Sequence, residues 1–170
     1  RTVGSGEAWT SIASSSDGAK LAAVVAGGSI YTSNNSGVDW TEHTVGNSEE
    51  WTSIASSSDG AKLAAVAYYG RIWTSTNSGT TWVEDAAVAT QDWEAIASSN
   101  DGAKLAAVVY GGSIWTTTNS GADWTERTVG SNEDWTSIAS SSDGTKLAAV
   151  VEYGSIWTTT NSGADWTERT

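Results

Sequence analysis

The amino-acid sequence predicts an all-β fold made of four copies of one antiparallel unit, and three observations support this prediction. The chain of 170 residues repeats without a gap over residues 1–42, 43–84, 85–126 and 127–168. Within each repeat, short runs of apolar and hydroxyl residues alternate with turn signals such as Asp-Gly, Gly-Gly and Asn-Ser-Gly. Proline is absent and glycine occurs 18 times, which suits a chain of short strands joined by tight turns.

The first repeat shows how each element is predicted. Asp17-Gly18 is a hairpin signal, so the runs on either side of it are expected to pair. The second run is almost entirely apolar, which is typical of a strand covered on both faces. The predicted strands A, B, C and D are Trp9–Ser14, Lys20–Val25, Ser29–Ser33 and Trp40–Val45. Four strands in a repeat of this length are typical of one blade of a β-propeller.

An octet between strands C and D occurs in every repeat and predicts a stapled turn. Each copy has a hydroxyl residue, a spacer, Asn, Ser, Gly, two variable residues and Trp. The Asn side chain is expected to cap backbone N–H groups, and the Gly to supply a positive φ. The Trp then begins strand D and covers the turn. The predicted turn residues are Asn35, Gly37, Trp40, Asn77, Gly79, Trp82, Asn119, Gly121, Trp124, Asn161, Gly163 and Trp166.

This octet resembles the Asp-box, or bacterial neuraminidase repeat, Ser-x-Asp-x-Gly-x-Thr-Trp. The match includes Ser33, Gly37 and Trp40, whereas Asn35 replaces the Asp of the family and Asp39 its Thr. The resemblance implies a β-propeller with four four-stranded blades in one domain over residues 1–170. It also implies that the box is structural and remote from any active site, and it favours an extracellular or periplasmic protein.

Two alternatives concern the architecture. Residues 19–25 contain helix formers after an Asp, which would give a β/α solenoid, although the run is short and rich in Val. Four blades could also form a small closed ring, an open arc or half of a larger ring. Because Asp-box propellers resemble rings of six or more blades, we expect two chains to form an eight-bladed homodimer.

Composition excludes several classes of function. The formal net charge is −12, from 20 acidic and 8 basic residues, which disfavours nucleic acid and anionic membranes as partners. Cysteine is absent, which removes disulfides and thiolate chemistry. Tryptophan occurs 11 times, at three positions per repeat. The chain begins at Arg1 inside a repeat, which we interpret as an excised or engineered segment of repeats.

The sequence predicts no catalytic, metal or cofactor site. Sialidases with the Asp-box need an arginine triad, but Arg1, Arg127 and Arg169 share one outer-strand position in separate blades. The single His43 argues against a multi-histidine metal site or a Ser-His-Asp triad. Adjacent acids such as Glu49-Glu50 point apart along a strand and are weak candidates for a glycosidase pair. We therefore expect a protein that is not an enzyme.

The turn between strands B and C differs most among the copies and supplies the candidate binding residues. Tyrosine side chains have an apolar ring and a polar tip, which suits contacts with peptides or sugars. The candidates are Tyr68, Tyr69, Arg71, Tyr110, Glu152 and Tyr153. The third copy diverges further, with Asp85-Ala86-Ala87 and Glu94. The sequence thus favours a non-catalytic binding or scaffold propeller; a lectin-like propeller and a glycoside hydrolase relative without its catalytic residues are the alternatives.

Overall fold

The computed structural model describes residues 6–46, 48–130 and 132–170. These residues form sixteen β-strands and no helix, so the described part holds no helix that could cross a membrane. Each repeat supplies one four-stranded unit. Unit 1 has β1 (Trp9–Ser14), β2 (Leu21–Val25), β3 (Ile30–Ser33) and β4 (Thr41–His43). Unit 2 has β5 (Glu50–Ser56), β6 (Leu63–Tyr68), β7 (Ile72–Ser75) and β8 (Val83–Glu84).

The other two units are joined into one sheet of eight strands. Unit 3 has β9 (Trp93–Ser98), β10 (Leu105–Gly112), β11 (Ile114–Thr117) and β12 (Thr125–Arg127). Unit 4 has β13 (Glu133–Ser140), β14 (Leu147–Val151), β15 (Ile156–Thr159) and β16 (Thr167–Arg169). A short pairing of β10 with β13, at Tyr110 and Asp134, connects them. Within every unit the strands pair antiparallel in chain order.

The predicted strands are confirmed, with ends that differ by one or two residues. Strands β2, β3 and β4 each begin one residue later than predicted, and β4 ends at His43 instead of Val45. The solenoid alternative is wrong, because residues 21–25 pair with β1 and β3 as a strand. Short side chains explain the preference: Ala22 and Val24 pack against Trp51 and Ile54 of unit 2, and Ala23 and Val25, which alternate with them along β2, are buried as well.

A β-bulge near the start of the first strand determines which side chains face the neighbouring unit. In β1 the register with β2 shifts between Trp9 and Ser11, and equivalent shifts occur at Trp51, Trp93 and Trp135. Side chains three residues apart lie on opposite faces of a regular strand. The inserted residue reverses this relation, so the Trp and the Ile three residues later pack on the same side.

The core lies between units, and its three junctions share a Trp and an Ile of one unit packed on an Ala, a Val and an Ile of the unit before it. At the first junction, Trp51 and Ile54 of unit 2 pack with Ala22, Val24 and Ile30 of unit 1. Trp93 and Ile96 repeat this arrangement at the second junction, and Trp135 and Ile138 at the third. All three Trp side chains are fully buried. Burial between sheets is the main source of stability here, since it removes large apolar surfaces from water.

Backbone hydrogen bonds run from unit to unit at one end of the strands. Ser16 N–H donates to the Ser58 carbonyl (2.8 Å), Ser58 N–H to that of Asn100 (2.7 Å), and Asn100 N–H to that of Ser142 (2.8 Å). At the opposite end, Gly27 N–H donates to the Glu49 carbonyl and Gln91 N–H to that of Gly70. Each junction is therefore held at both ends as well as by its apolar centre.

Candidate binding face

All four candidate tyrosines come from the turns between the second and third strands of their units, or from the strand ends beside them. The tyrosine face is defined by Tyr68, Tyr69, Tyr110, Glu152 and Tyr153. The exposed fraction of the residue is 102% for Tyr153 and 68% for Tyr69. It is 40% for Tyr68 and 41% for Tyr110. These rings present apolar surface to solvent at one end of the strands.

The turn conformation makes two of these tyrosines unusual. Gly27 and Gly111 adopt φ values of 66° and 65° in this turn. Tyr69 and Tyr153 adopt φ values of 50° and 54° at the corresponding turns, in a left-handed region that disfavours residues with a Cβ. A bulky side chain held in this conformation is a reason to look for a functional role.

Tyr68 and Tyr69 form a contacting pair. Their ring centroids are 4.3 Å apart at an interplanar angle of 63°, an edge-to-face geometry. A hydrogen bond with Tyr69 is the largest cause that raises the pKa of Tyr68 to about 12, followed by partial desolvation and the charges of Tyr69, Asp92 and Glu94. Tyr68 is therefore a neutral phenol at physiological pH, next to two carboxylates of the following unit.

Carboxylates lie close to Tyr110 as well as to Tyr68. The negative charge of Asp134 is the largest cause that raises the pKa of Tyr110, with smaller contributions from desolvation, Glu152 and Glu94. Burial raises the pKa of Glu94, and repulsion by Glu152 raises it further. The structure thus brings Tyr110, Glu94, Asp134 and Glu152 from units 3 and 4 into one electrostatic cluster.

Sequence reasoning did not select Asp92, Glu94 or Asp134 as members of this face. One signal was present, because Glu94 stands where the other repeats have Thr10, Thr52 and Thr136. Thr10 and Thr52 donate to the carbonyls of Trp51 and Trp93 in the next unit, at 2.7 and 2.8 Å. Replacing this structural hydroxyl by a carboxylate adds charge beside the tyrosines, but its neighbours become evident only when units 3 and 4 are placed side by side.

Arg71 has a structural role within unit 2 and the connection that follows it. Its Nη1 donates to the carbonyls of Asp85, Ala86 and Val88 at 3.4, 3.1 and 3.0 Å. Its Nε lies 3.3 Å from Glu84 Oε1. The guanidinium thereby anchors the divergent connection to the third repeat.

The lysines lie away from the carboxylates of the tyrosine face. All four lysines, Lys20, Lys62, Lys104 and Lys146, follow the turn between the first and second strands, at the opposite end of the strands. At the near end, Arg127 and Arg169 are on outer strands, where each Nε donates to Thr116 or Thr158 at 2.9 Å. Among the described residues, no group of three or more His, Cys, Asp or Glu side chains has the geometry of a metal site.

The octet turns lie at the end of the strands away from the tyrosines. Gly37 has a φ of 84°, and Ser36 before it a φ of 57°. Asn35 Oδ1 accepts from Asp39 N–H at 2.9 Å, and Trp40 Nε1 donates to the Gly37 carbonyl at 3.1 Å. The same Asn contact recurs at Asn77, Asn119 and Asn161. These side chains are engaged in the turn itself, in a region remote from the tyrosine face.

Solved structures similar to this chain decide the fold. The beta-propeller domain of Cps50 (Swd1) from Myceliophteria thermophila aligns with a TM-score of 0.72 and 13% identity, over 93% of this chain and 53% of that chain. The chain has a β-propeller fold. This propeller is also similar to YCF48 bound to D1 peptide, with a TM-score of 0.59 and 11% identity, over 96% of this chain and 82% of that one.

The neighbours differ in function. A GH74 enzyme of Niastella koreensis aligns with a TM-score of 0.69 and 20% identity, over 94% of this chain and 24% of that chain. The propeller described here therefore spans about a quarter of the length of that enzyme and about half of the Cps50 domain. No family model and no curated relative matches the sequence. At these identities the comparisons show the fold alone.

Proposed function

We propose that this chain is a non-catalytic propeller of the Asp-box type that binds a cationic protein segment on its tyrosine face. One observation carries the proposal: exposed tyrosines and the carboxylates Glu94, Asp134 and Glu152 share one end of the strands, while every lysine lies at the other end. Lysine and arginine side chains suit such a surface, since they stack on aromatic rings and pair with carboxylates.

The location of the partner site follows from exposure and charge. Tyr69 and Tyr153 are the most exposed of the four tyrosines, and Tyr68 and Tyr110 lie beside the carboxylates. Arg71 belongs to the face by position, but its guanidinium is engaged with Glu84 and three carbonyls. We therefore assign partner contact to the tyrosines and Glu152, with Arg71 supporting the turn. The absence of a catalytic role is inferred from the residue inventory of the sequence.

Binding of a labelled Lys- and Arg-rich peptide tests this proposal. Fluorescence anisotropy should detect binding that weakens as salt rises, because exposed charges are screened within about 10 Å at 0.1 M salt. Replacing Tyr68, Tyr69, Tyr110 and Tyr153 by Ser should weaken binding at least about tenfold, since several ring–cation contacts are lost. Val38→Ser, at an exposed residue of the octet turn, is the control. Equal binding by the tyrosine variant would contradict the assignment.

A glycan is the second candidate ligand, favoured by the exposed Tyr68–Tyr69 pair. Sugar rings stack on aromatic faces, and the phenols add hydrogen bonds. Titration of the wild-type protein with neutral oligosaccharides distinguishes the two ligands, because glycan binding should be insensitive to salt, whereas the tyrosine variant should weaken the binding of both. Turnover of a glycoside reporter would instead revive the more distant alternative, a relative of the glycoside hydrolases.

We also propose that the four units are four blades and form half of an eight-bladed ring closed by a second copy of the chain. The alignment supports this proposal, because 93% of this chain corresponds to 53% of a beta-propeller domain. A single copy thus has about half the length of one solved propeller. Light scattering on a sizing column should give twice the chain mass of 17.6 kDa; a monomer at micromolar concentration would rule out the ring.

A further inference from the structure

The two outermost units leave complementary faces uncovered by the described residues. On unit 1, Ile12 is 64% exposed and Trp9 is 41% exposed. The side chains at the same positions in unit 2 are Ile54, with 5% exposed, and Trp51, with none. The difference arises because Ile54 and Trp51 pack against unit 1, whereas the described structure places no unit before unit 1.

Unit 4 exposes the opposite half of the same junction. Ile156 is 52% exposed, while its equivalents Ile30, Ile72 and Ile114 are fully buried against the next unit. Ala148 and Val150 are likewise less buried than Ala22 and Val24. Unit 4 therefore presents the set of side chains that Trp51 and Ile54 cover at the first junction.

A hollow on unit 1 matches what unit 4 presents. It has a volume of about 650 Å³ and is lined by Trp9, Thr10, Ser11, Ile12, Ala23 and Trp40. At the first junction, the equivalent Trp51, Ile54, Ala65 and Trp82 enclose Ala22, Val24 and Ile30. The hollow thus has the lining that receives these three side chains, and Ala148, Val150 and Ile156 are their counterparts on unit 4.

Polar groups at the two faces continue the interior series. Lys20 Nζ donates to Ser78 Oγ and Lys62 Nζ to Ser120 Oγ, each at 3.2 Å, whereas at the third junction Lys104 Nζ donates to the Asp143 carbonyl at 3.0 Å. The corresponding acceptors for Lys146 on a second copy are Ser36 Oγ and the Asp17 carbonyl. In the same way, the series of backbone bonds from Ser16 to Ser142 would continue from the Ser142 N–H to the Ser16 carbonyl.

The surroundings of Gly18 and Gly37 show open space on unit 1 that a neighbouring unit would fill. A Cβ at Gly60, Gly102 or Gly144 would meet the Lys side chain of the preceding unit at 2.8 Å, whereas a Cβ at Gly18 would meet nothing within 4 Å. A Cβ at Gly79 would likewise meet Thr32 Cγ2 at 2.6 Å, but at Gly37 its nearest contacts are Leu21 and Trp40 of the same unit. Unit 1 therefore retains room for Lys146 and Thr158 of another copy.

We infer that unit 4 of one copy packs on unit 1 of a second copy, and that two such identical seams close the ring. This inference rests on the proposed ring and specifies its contacts: Ile156, Val150 and Ala148 fill the hollow beside Trp9 and Ile12, and Lys146 bonds Ser36 or the Asp17 carbonyl. A second copy is the occupant because the chain itself carries both halves of the junction. The seam is heterologous, so each copy uses one face in each contact.

Single substitutions at the two faces, followed by mixing, test this geometry. Ile12→Glu and Ile156→Glu should each give a monomer by light scattering, because each places a charge in both seams. An equimolar mixture should recover dimers, since the intact face of each variant meets the intact face of the other in one seam. Val83→Glu, at a residue 67% exposed on the outer strand β8, is the control and should remain dimeric. Circular dichroism checks that all three variants fold.

The outcomes distinguish the seam from the proposals on which it rests. A wild-type monomer would overturn both the ring and the seam. Two results would overturn the seam if the wild type is a dimer: loss of the dimer only in Ile12→Glu, or failure of the mixed variants to recover dimers. Either result would leave a dimer of another arrangement. Assemblies larger than two copies would show that the contact propagates without closing. Peptide binding by the tyrosine face is measured separately and is independent of all three results.

Discussion

At the scale of single residues, small side-chain contacts decide the shape of the turns. The Asn of each octet stands where the Asp-box has Asp, and it bonds with both ends of its side-chain amide. Asn77 Oδ1 accepts from Thr81 N–H and from Ser75 Oγ, and Asn77 Nδ2 donates to Thr81 Oγ1. An amide can both donate and accept, whereas a carboxylate only accepts, so Asn is suited to this pair of partners.

The Asn77→Ala variant should remain folded but lose about 0.5–2 kcal/mol of unfolding free energy, as expected for a cap to backbone N–H groups. Urea unfolding followed by tryptophan fluorescence measures the change. Thr76→Ala, at the exposed spacer of the same octet, is the matched control. An unfolding midpoint of Asn77→Ala that equals the wild-type value would show that the cap contributes nothing.

His43 should make stability depend on pH. Burial lowers the pKa of His43 below 6.5, so the unfolded chain binds this proton more readily than the folded chain. Stability should therefore fall as pH drops below about 6.5 and become level below the folded pKa. His43→Arg should remove this dependence, because Arg127 occupies the same position in unit 3 and bonds Thr116 while charged. A midpoint unchanged between pH 7 and pH 5 in the wild type would contradict this prediction.

At the scale of elements, the bulge in the first strand of each unit has the largest consequence. It turns Trp93 toward the same neighbour as Ile96, and both pack with Ala64, Val66 and Ile72 of unit 2. Without the inserted residue, one of the two side chains would face the wrong unit. The bulge also places Thr10 and Thr52 so that their hydroxyls reach a carbonyl of the next unit.

Trp93→Ala should cost roughly 3–5 kcal/mol of unfolding free energy, because it empties a fully buried site between two sheets. Val83→Ala, at an exposed residue, should change stability by less than about 0.5 kcal/mol. Thermal or urea unfolding of both variants provides the measurement. A loss below about 1 kcal/mol for Trp93→Ala would show that the junction relaxes around the cavity.

At the scale of the whole molecule, the ends of the array and its charge distribution govern association. The four units form the same kind of junction three times, and one face of unit 1 and one face of unit 4 remain without a neighbouring unit among the described residues. Apolar surface of this kind favours association, and it underlies the dimer predicted above. The carboxylates of the tyrosine face and the lysines at the opposite end give the propeller two chemically different ends, which underlies the predicted preference for a cationic partner.

The amino-acid sequence by itself determined the strands, their order and the repeat. Asp-Gly turns, the octets and the apolar runs act over a few residues, so their outcome is local and can be inferred from residue types and spacing. Strand ends differed by one or two residues because the pairing partner decides where a ladder stops. The candidate tyrosines could be selected since they vary among otherwise similar copies.

Only the tertiary structure decided which residues meet across units. Trp9 and Trp51 have the same local sequence pattern, yet one is 41% exposed and the other fully buried, because burial depends on the neighbouring unit. Glu94 approaches Glu152 only through the packing of unit 3 on unit 4. The role of Arg71 likewise required the path of the segment from Asp85 to Val88. Such contacts join residues far apart in the chain, and local propensity carries no information about them.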